Sequence, residues 1–537
     1  MISRSLLSAC VVLFFSIAAF GAPPKKINTG NAEAITEAQL KDYLSFLASD
    51  EFEGRDTPSR GLNIAAKFIA TELSRWGWKP GGDSGSYFQN IELDQLRIIP
   101  SETTVRVDSL SFAFGDDFIL SPVEEKLSGN LVYVQSGFFI KSKNLNPYEG
   151  IDIQGKFIIV LGGFPQGIGF ADFKGRRGED WDFPSGYAKA HGALGVITIP
   201  SKQQFSGWER LKANATVKGT VRVAKFENNE SQNSIPVITA SERLIKEIFL
   251  GEIPDTISMT NSRQAESVRP FALSSKKIFS LSSAVSHEKI ITQNVVGILE
   301  GKGKKLKDEY VAFGAHYDHV GIGNPVHGDS IYNGADDDGS GTAALLSMAE
   351  AFAKGAKPER SLLFVWHCGE EKGLWGSKYF TNYPTVPLSN IITQLNIDMI
   401  GRSIADTDTT NNNMTKNNEV FVIGSKMMSS ELGAFSEKIN NEYLHLSFNY
   451  KFDDPNDSQR LFYRSDHYNY AKKGIPIIFY FDGLHEDYHR PSDEVEKIDF
   501  NKLCKVTRTV FVTGWNLANM PKKPAVDTPL KEQSTED

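Results

Sequence analysis

Histidines and carboxylates recur in the last third of the chain, within five short segments that follow strand-like runs or precede a helix. The segments are GAHYD at 314–318, NGADDDGSG at 333–341, HCGEEKG at 367–373, DMIG at 398–401 and YHRPSD at 488–493. Carboxylates held close together repel one another unless a cation neutralises them. A mixture of imidazole and carboxylate ligands suits Zn²⁺ better than Mn²⁺ or Co²⁺. The sequence therefore predicts a zinc site.

The same residue types indicate hydrolysis. Two metal ions roughly 3.5–4 Å apart can share one carboxylate and one bridging hydroxide, which is a nucleophile at neutral pH. A further carboxylate beside such a pair can accept the proton of the water and pass it to a leaving amine. We therefore expect a pair of metal ions with a carboxylate general base beside it.

The elements that position these segments alternate in type from residue 294 onward. Strand-like runs occupy 295–299, 310–313, 361–366, 394–397, 420–423 and 475–481, and helical patterns occupy 342–353 and 427–443. Such alternation predicts a largely parallel sheet with helices on both faces. Functional groups then collect on loops at the carboxyl ends of the strands. We expect an α/β fold: a three-layer αβα domain with a mixed, mostly parallel central sheet.

In this order, the five motifs resemble peptidase family M28, a family of co-catalytic zinc peptidases that includes aminopeptidases. The resemblance covers about 294–519, and the segment around 52–78 is similar to the opening helices of the family. It implies a zinc metallopeptidase with two zinc ions per chain, acting on peptide substrates. The reaction that it implies is release of N-terminal residues.

The resemblance also implies a role for individual residues. His316 and Asp398 would bind one zinc ion, Glu371 and His489 would bind the other, and Asp337 would bridge the two.

Three further residues match catalytic positions of the family. Glu370 would be the general base, Asp318 would orient the first histidine ligand, and Tyr488 would stabilise the oxyanion. The neighbouring acids Asp336 and Asp338 leave the bridging position open by one residue. Asp338 also departs from relatives that often carry Asn there.

The length of the chain requires more than one domain, because 537 residues correspond to two to four domains of roughly 150 residues. Short β-rich runs between about 129 and 251 predict a second unit. The helix-to-strand passage at 187–197 resembles a protease-associated (PA) domain, which several M28 members carry as an insertion. We predict a discontinuous peptidase domain at 30–120 and 275–520, and a β-rich PA-like domain inserted at 125–270.

Residues 1–22 are typical of a secretory signal peptide. A basic residue precedes an apolar run that is short for a bilayer span, and small residues follow. The alternative is a retained membrane anchor. We predict an exported protein, periplasmic or secreted, without a membrane span after signal removal. Residues 521–537 lack the apolar side chains needed to order them and are predicted to form a disordered tail.

Composition excludes several other classes. A net charge of −8 argues against a nucleic-acid-binding protein, which normally shows a basic face or tail. Three cysteines cannot form a disulfide framework. We expect Cys368 and Cys504 to be buried free thiols, although they could pair if the fold brings them together.

Three alternative functions share these motifs. A single-zinc aminoacyltransferase similar to glutaminyl cyclases would release ammonia instead of an amino acid. A receptor-like binding protein would use the domain as a scaffold, which has no need of clustered acids. A carboxypeptidase would share the metal core.

Several polar residues near the motifs receive weaker predictions. Arg402 either grips a carboxylate or carbonyl of the substrate or pairs with an acid of the protein. The contiguous Ser465-Asp466-His467 cannot adopt triad geometry. Four other histidines lie near the motifs in sequence and could line the site, although a supporting or surface role is favoured for them: His319, His367, His467 and His485.

Overall fold

The computed structural model describes residues 27–169, 172–201, 205–226, 235–253, 259, 265–405, 407–408, 410–454, 457 and 459–530. The predicted signal peptide lies outside these residues, as do residues 531–537 of the predicted tail. Among the helices that the structure describes, none is both long and apolar enough to span a membrane. Cys368 and Cys504 are buried and unpaired, so the prediction of free thiols is confirmed.

The helices are α1 Glu37–Leu47, α2 Arg60–Arg75, α3 Pro184–Ala190, α4 Trp208–Ala213, α5 Glu242–Phe249, α6 Gly341–Lys354, α7 Trp375–Asn382, α8 Ser430–Glu442, α9 His467–Lys472 and α10 Phe500–Asn519.

The strands of the first half are β1 Lys79–Pro80, β2 Phe88–Ile98, β3 Thr104–Val107, β4 Leu110–Ala113, β5 Phe118–Leu120, β6 Glu125–Gly129, β7 Leu131–Tyr133, β8 Phe139–Ile140, β9 Phe157–Leu161, β10 Trp181–Asp182, β11 Gly195–Ile199, β12 Thr220–Val223 and β13 Val237–Ala240. Those of the second half are β14 Phe271–Ala272, β15 Phe279–Ser283, β16 Val285–Leu299, β17 Tyr310–His316, β18 Gly321–Val326, β19 Asp329–Tyr332, β20 Ser361–His367, β21 Ile391–Ile397, β22 Glu419–Ile423, β23 Ser447–Asn449 and β24 Ile477–Phe481.

A ten-stranded sheet runs in the order β12-β2-β16-β20-β17-β21-β24-β22-β23, with β1 paired to β16. The four strands β20, β17, β21 and β24 are parallel in consecutive pairs. The pairs of β16 with β20 and of β22 with β24 are antiparallel. The sheet is therefore mixed, with a parallel centre, and the carboxyl ends of its four central strands lie at one edge.

Helices cover both faces of this sheet. Leu362, Phe364 and Trp366 of β20 join a core with α1, α2, α6 and α10, whereas Leu363 and Val365 join a core with α7 and α9. Alternation along one strand thus supplies two hydrophobic layers, as the period of two in a pleated strand requires. The predicted three-layer αβα architecture with a mixed sheet is confirmed.

A second unit lies between β2 and β16 in the chain. A six-stranded sheet, β14-β7-β9-β11-β13-β5, packs against a four-stranded sheet, β4-β3-β15-β6. Phe157 of β9 and Phe279 of β15 meet in the shared core with ring centroids 4.8 Å apart. Its core begins near Ile98 and ends near Leu281; the predicted boundaries at 125 and 270 and the PA assignment stay predictions.

One strand from the middle of the second unit belongs to the main sheet. Strand β12, from the middle of the unit, pairs antiparallel with β2 at the sheet edge. Strand β2 then pairs along its whole length with β16. The beginning of the predicted tail, residues 521–530, lies against α8, where Ser430 N–H donates to Asp527 at 3.1 Å.

Candidate metal centre

All five predicted segments meet at the carboxyl edge of the parallel strands. His316 ends β17, Asp398 follows β21, and the Glu370–Glu371 pair follows β20. His489 follows β24 after a short loop, and Asp337 lies in a wide turn, Ala335–Ser340, that precedes α6. This is the edge at which open α/β sheets collect functional groups.

Three of these side chains form a first cluster. The Nε2 atom of His316 lies 3.3 Å from Asp337 Oδ1 and 3.5 Å from Asp398 Oδ1. Neighbouring ligand atoms around one tetrahedral zinc ion are about 3.3 Å apart, given bonds of about 2.0–2.2 Å. All three residues are buried. The spacing suits one cation.

A second cluster shares Asp337. The Nε2 atom of His489 lies 3.1 Å from Asp337 Oδ2 and 3.0 Å from Glu371 Oε2. The Nδ1 atom of His319 lies 2.8 Å from Glu371 Oε1, and the four ligand atoms are within 4.8 Å of one another. Because Asp337 offers Oδ1 to the first cluster and Oδ2 to the second, it occupies the position of a bridging ligand.

The two acids beside Asp337 have other partners. Asp336 Oδ1 accepts the Gly401 N–H at 2.7 Å, and its Oδ2 faces His485 Nε2 at 3.3 Å. Asp338 accepts three main-chain N–H groups, from His316, Gly341 and Met399. Of the triplet, Asp337 alone belongs to the clusters, and its peptide bond to Asp338 is cis.

Five of the buried atoms that have no hydrogen-bond partner lie in these clusters: Asp337 Oδ2, Glu371 Oε1, His489 Nε2 and both ring nitrogens of His319. A buried polar atom without a partner is costly, and here several such atoms converge on one volume. Their types, carboxylate oxygen and imidazole nitrogen, are those that bind zinc. The residues present therefore fit a metal ion.

The proton affinities of the cluster residues reflect the same crowding. Burial raises the pKa of Glu370 well above its usual range, and the carboxylates Glu371 and Asp398 raise it further, although His316 opposes them. Burial also raises the pKa of Asp337, but His319, His316 and His489 outweigh it and hold that pKa well below the usual value. Glu370 thus has a higher affinity for a proton than Asp337 has.

Glu370 and Asp318 flank the first cluster. Glu370 Oε2 lies 3.9 Å from His316 Nε2, and its main-chain N–H donates to Asp318 Oδ1 at 3.2 Å. The Nδ1 atom of His316 is 3.1 Å from the main-chain carbonyl of Asp318 and 3.7 Å from its carboxylate. When Nδ1 carries the hydrogen, it can donate a hydrogen bond to the carbonyl of Asp318. The Nε2 atom is then free to bind a cation.

Tyr488 stacks on His489, with ring centroids 3.9 Å apart and planes inclined by 24°. Burial raises the pKa of its phenol above the usual value, and the charges of Asp337 and Glu371 raise it further. The hydroxyl therefore remains a hydrogen-bond donor at neutral pH.

Arg55 fixes the segments that carry the ligands. It is 1% exposed and lies in the loop between α1 and α2. Its guanidinium donates to four main-chain carbonyls, those of Leu47, Tyr317, Asn333 and Gly334, at 2.7–3.0 Å. Two of the segments reached, around Tyr317 and Gly334, directly adjoin His316 and the aspartate triplet. Arg55 is thus a buried cation that ties these two ligand loops together.

The other polar residues near the motifs are engaged elsewhere. Arg402 donates to Asp487 at 2.8 Å, so it pairs with an acid of the protein, which was one of its two predicted roles. His367 faces Asp466 at 3.3 Å, and His467 faces the carbonyl of Phe462 at 2.8 Å.

His319 lies inside the second cluster, although a supporting or surface role was favoured for it. Arg55 and Ser465 also contribute, and no role was predicted for them: Arg55 orders the ligand loops, and Ser465 Oγ donates to Asp398 Oδ2 at 2.6 Å. A signal for His319 was its position three residues after His316, directly after the GAHYD motif.

Comparison with known proteins identifies relatives of one region of the chain. Residues 294–513 match the family model described as peptidase family M28. A probable leucine aminopeptidase of Arthroderma benhamiae is 27% identical over 237 residues, which cover 42% of this chain and 57% of that protein. A probable zinc metalloprotease of Pyrenophora tritici-repentis is 27% identical over 250 residues, covering 42% and 56%. The matched region thus spans a little over half the length of these curated relatives.

Two solved structures share the fold over nearly their whole length. An aminopeptidase from Aneurinibacillus sp. strain AM-1 has a TM-score of 0.51 at 16% identity, covering 94% of this chain and 97% of that one. A zinc aminopeptidase from Bacillus subtilis has a TM-score of 0.53 at 16% identity, covering 92% and 99%. The family model described as peptidase family M28 matches the region of this chain that carries all five motifs.

Proposed function

We propose that this protein is a two-zinc metallopeptidase that acts as an aminopeptidase and releases N-terminal residues from peptides. The observation that carries the proposal is the Asp337 carboxylate, whose two oxygens face two separate clusters of buried ligand atoms. The name of the Arthroderma benhamiae relative points in the same direction.

The residues that would hold the metal ions are His316 and Asp398 at the first position, Glu371 and His489 at the second, and Asp337 at both. When bound, the two ions would polarise the substrate carbonyl and lower the pKa of water, which supplies a nucleophile at neutral pH. The carboxylates in turn need the positive charge of those ions, because buried oxygens of Asp337 and Glu371 have no hydrogen-bond partner.

Glu370 would move the proton. It lies beside the first cluster, and its raised pKa gives the carboxylate a strong affinity for the proton that water releases. The same proton then goes to the nitrogen of the leaving group, as general acid–base catalysis requires. The backbone N–H bond to Asp318 holds Glu370 beside the cluster.

Tyr488 would assist at the substrate oxygen, and Asp318 would assist at the first metal position. The Tyr488 hydroxyl, which keeps its proton at neutral pH, would donate to the oxyanion that develops on the carbonyl oxygen. The carbonyl of Asp318 fixes the ring of His316 so that Nε2 faces the cation.

The partner of Arg402 bears on whether the protein accepts an amino or a carboxyl terminus. Arg402, which could have bound a carboxylate, is engaged by Asp487. Aminopeptidase activity is therefore the better supported of the two exopeptidase functions.

We also propose that the protein is exported and carries a PA-like unit inserted into the peptidase domain. The order of charged, apolar and small residues at 1–22 supports export. The separate hydrophobic core of the second unit supports an insertion. Cell fractionation, with N-terminal sequencing of the mature protein, tests the first of these.

The decisive experiment measures metal content and cleavage together. Purified protein is analysed for zinc and assayed on a peptide with a free N-terminus and on the same peptide after N-acetylation. We expect about two zinc ions per chain and cleavage of the free peptide alone. Equal cleavage of both peptides would refute an aminopeptidase, and zinc-loaded protein that cleaves neither peptide would refute a peptidase.

A further inference from the structure

His319 has the environment of a metal ligand. Its side chain is 0% exposed, and neither ring nitrogen has a hydrogen-bond partner. Its Nδ1 atom is 2.8 Å from Glu371 Oε1 and 3.7 Å from Asp337 Oδ2. A buried imidazole normally satisfies both nitrogens, so a group that the protein itself does not supply must meet this one.

The short contact with Glu371 is not a hydrogen bond. The Nδ1 and Oε1 atoms lie 2.8 Å apart, yet both lack a hydrogen-bond partner because the geometry between them is unsuitable. Both atoms also lie within 4.8 Å of the ligand atoms of His489 and Asp337. Two close atoms that do not bond each other but share two further neighbours are arranged around a common centre, as ligands of one ion are.

The fold holds the ring of His319 in this position. Its main-chain N–H donates to the carbonyl of Arg55 at 3.2 Å. The ring also lies close to Gly334, which has a φ of +59°. A Cβ atom added at Gly334 would be only 2.5 Å from two ring carbons of His319, so this position leaves room for the ring because it is glycine. The ring of His489 is nearly perpendicular to that of His319, with centroids 5.5 Å apart.

We infer that His319 is a fourth protein ligand at the second zinc position, which makes the two positions unequal. This inference rests on the two-zinc site of the proposed function. The second position then has two imidazoles and two carboxylates, whereas the first has one imidazole and two carboxylates. Four protein ligands are typical of closed structural zinc sites, and three are typical of sites that keep a position open for water or substrate.

Unequal coordination has a measurable consequence for metal release. The ion at the second position is held by every ligand that tetrahedral zinc requires, so it should leave last. The ion at the first position should exchange readily and interact with the substrate. As a chelator is increased, the zinc content should therefore fall in two steps, with a plateau at about one ion per chain.

The test compares zinc release from the wild-type protein and from two variants. His319→Phe keeps a ring but removes the ligand nitrogen, and it should abolish the plateau. The dissociation constant of the tighter ion should rise at least about 100-fold, because even partners of ligands change affinity by about 10–100-fold. His319→Asp should restore the plateau in part, since its carboxylate oxygen is as many bonds from Cβ as the Nδ1 atom.

The matched control is His467→Phe. His467 is equally buried, stacks on Phe479 and lies outside both clusters. This variant should keep the wild-type plateau, which separates loss of a ligand from loss of a buried histidine.

A Co²⁺ titration of the wild-type apoprotein gives a readout that does not depend on folding of the variants. The first equivalent should produce the strong visible absorption of four-coordinate Co²⁺ with two imidazole ligands, and the second a different spectrum, because the first position supplies only one imidazole. Identical spectra for both equivalents, a single-step loss of zinc from the wild type, or an unchanged plateau in folded His319→Phe would each overturn the inference. Because metal content is measured, a protein with this plateau that cleaves no peptide would refute the proposed function and leave the ligand assignment standing.

Discussion

Two neighbouring groups of acids at one sheet edge are neutralised in different ways. In the metal centre, oxygens of Asp337 and Glu371 are buried without a hydrogen-bond partner. In what we call the Asp487 network, the carboxylate accepts from Arg402 at 2.8 Å, Lys497 at 2.7 Å and Ser492 at 2.7 Å.

The difference shows which acids the protein stabilises by itself. Although burial raises it, the pKa of Asp487 is held below its usual range by hydrogen bonds from Lys497, Ser492 and Arg402. The metal centre instead keeps a surplus of carboxylates that an external cation must balance. The candidate cation site is thus marked by the convergence of several unpartnered carboxylate and imidazole atoms on one volume.

The sharpest way to test this contrast is Asp337→Asn. We expect loss of both zinc ions and a fall in peptide hydrolysis of roughly 10⁴-fold, the scale seen when a member of a catalytic unit is removed. In excess chelator the variant should also melt lower than the wild type, because, against the effect of burial, His319, His316 and His489 hold the pKa of Asp337 below its usual value and so stabilise its ionised form in the folded protein. Zinc analysis and thermal unfolding provide both measurements.

Asp487→Asn is the control for that prediction. It should lower the melting temperature with and without chelator, because three donors lose a charged acceptor, and it should keep the zinc content. If Asp487→Asn also loses zinc, the two regions are not different in kind.

Glu370→Gln separates proton transfer from metal binding within the metal centre. It keeps the shape of the side chain but cannot accept a proton, so kcat should fall about 10²–10⁴-fold. The zinc content should stay at the wild-type level, since Glu370 lies outside both ligand clusters. A variant with full turnover would show that another group moves the proton.

Arg55→Met tests the buried cation that ties the ligand loops of the metal centre together. Removal leaves four buried carbonyls without their donor, and we expect the free energy of unfolding to fall by about 3–5 kcal/mol. Arg55→Lys keeps the charge but not the planar fork, so it should recover only part of the loss. Full recovery by lysine would mean that charge alone matters here. Chemical denaturation measures both variants.

Arg402→Met should have the smallest effect. Asp487 keeps Lys497 and Ser492 as donors, so the free energy of unfolding should fall by about 1–3 kcal/mol. The zinc content and kcat should change little, because Arg402 contacts no cluster residue in the hydrogen bonds described above. A large loss of kcat at normal stability would instead assign Arg402 to substrate binding.

Much of the fold could be predicted from patterns within single segments. The strands at 310–313, 361–366 and 420–423 and the helix at 342–353 are confirmed, because their apolar periodicity is local. The first half of β16 was missed, since residues 286–289 are exposed and polar and show no alternation. Strand β12 was also missed, because its place in the main sheet depends on β2, more than 120 positions earlier in the chain.

Contacts between residues far apart in sequence also limited the prediction of the site. The order of the motifs predicted which segments meet, and the geometry brings all five together. His319 was undervalued because its partners, Glu371 and His489, are distant in sequence and reveal the role of the ring only once folded. Arg55 left no recognisable pattern, because its partners are main-chain carbonyls and any residue supplies a carbonyl.

The pairing of β2 with β16 has a consequence for biosynthesis. Strand β2 leaves the ribosome almost 200 residues before its partner, which corresponds to about 10–40 s of translation. Over the same interval the strands β3 to β15 emerge, and most of them pair with one another. We therefore expect the second unit to fold first, while the peptidase-like domain around it remains incomplete. Stalled nascent chains that are long enough for β15 to clear the ribosome exit tunnel should then resist protease at strands β3 to β15 but not at the elements before them.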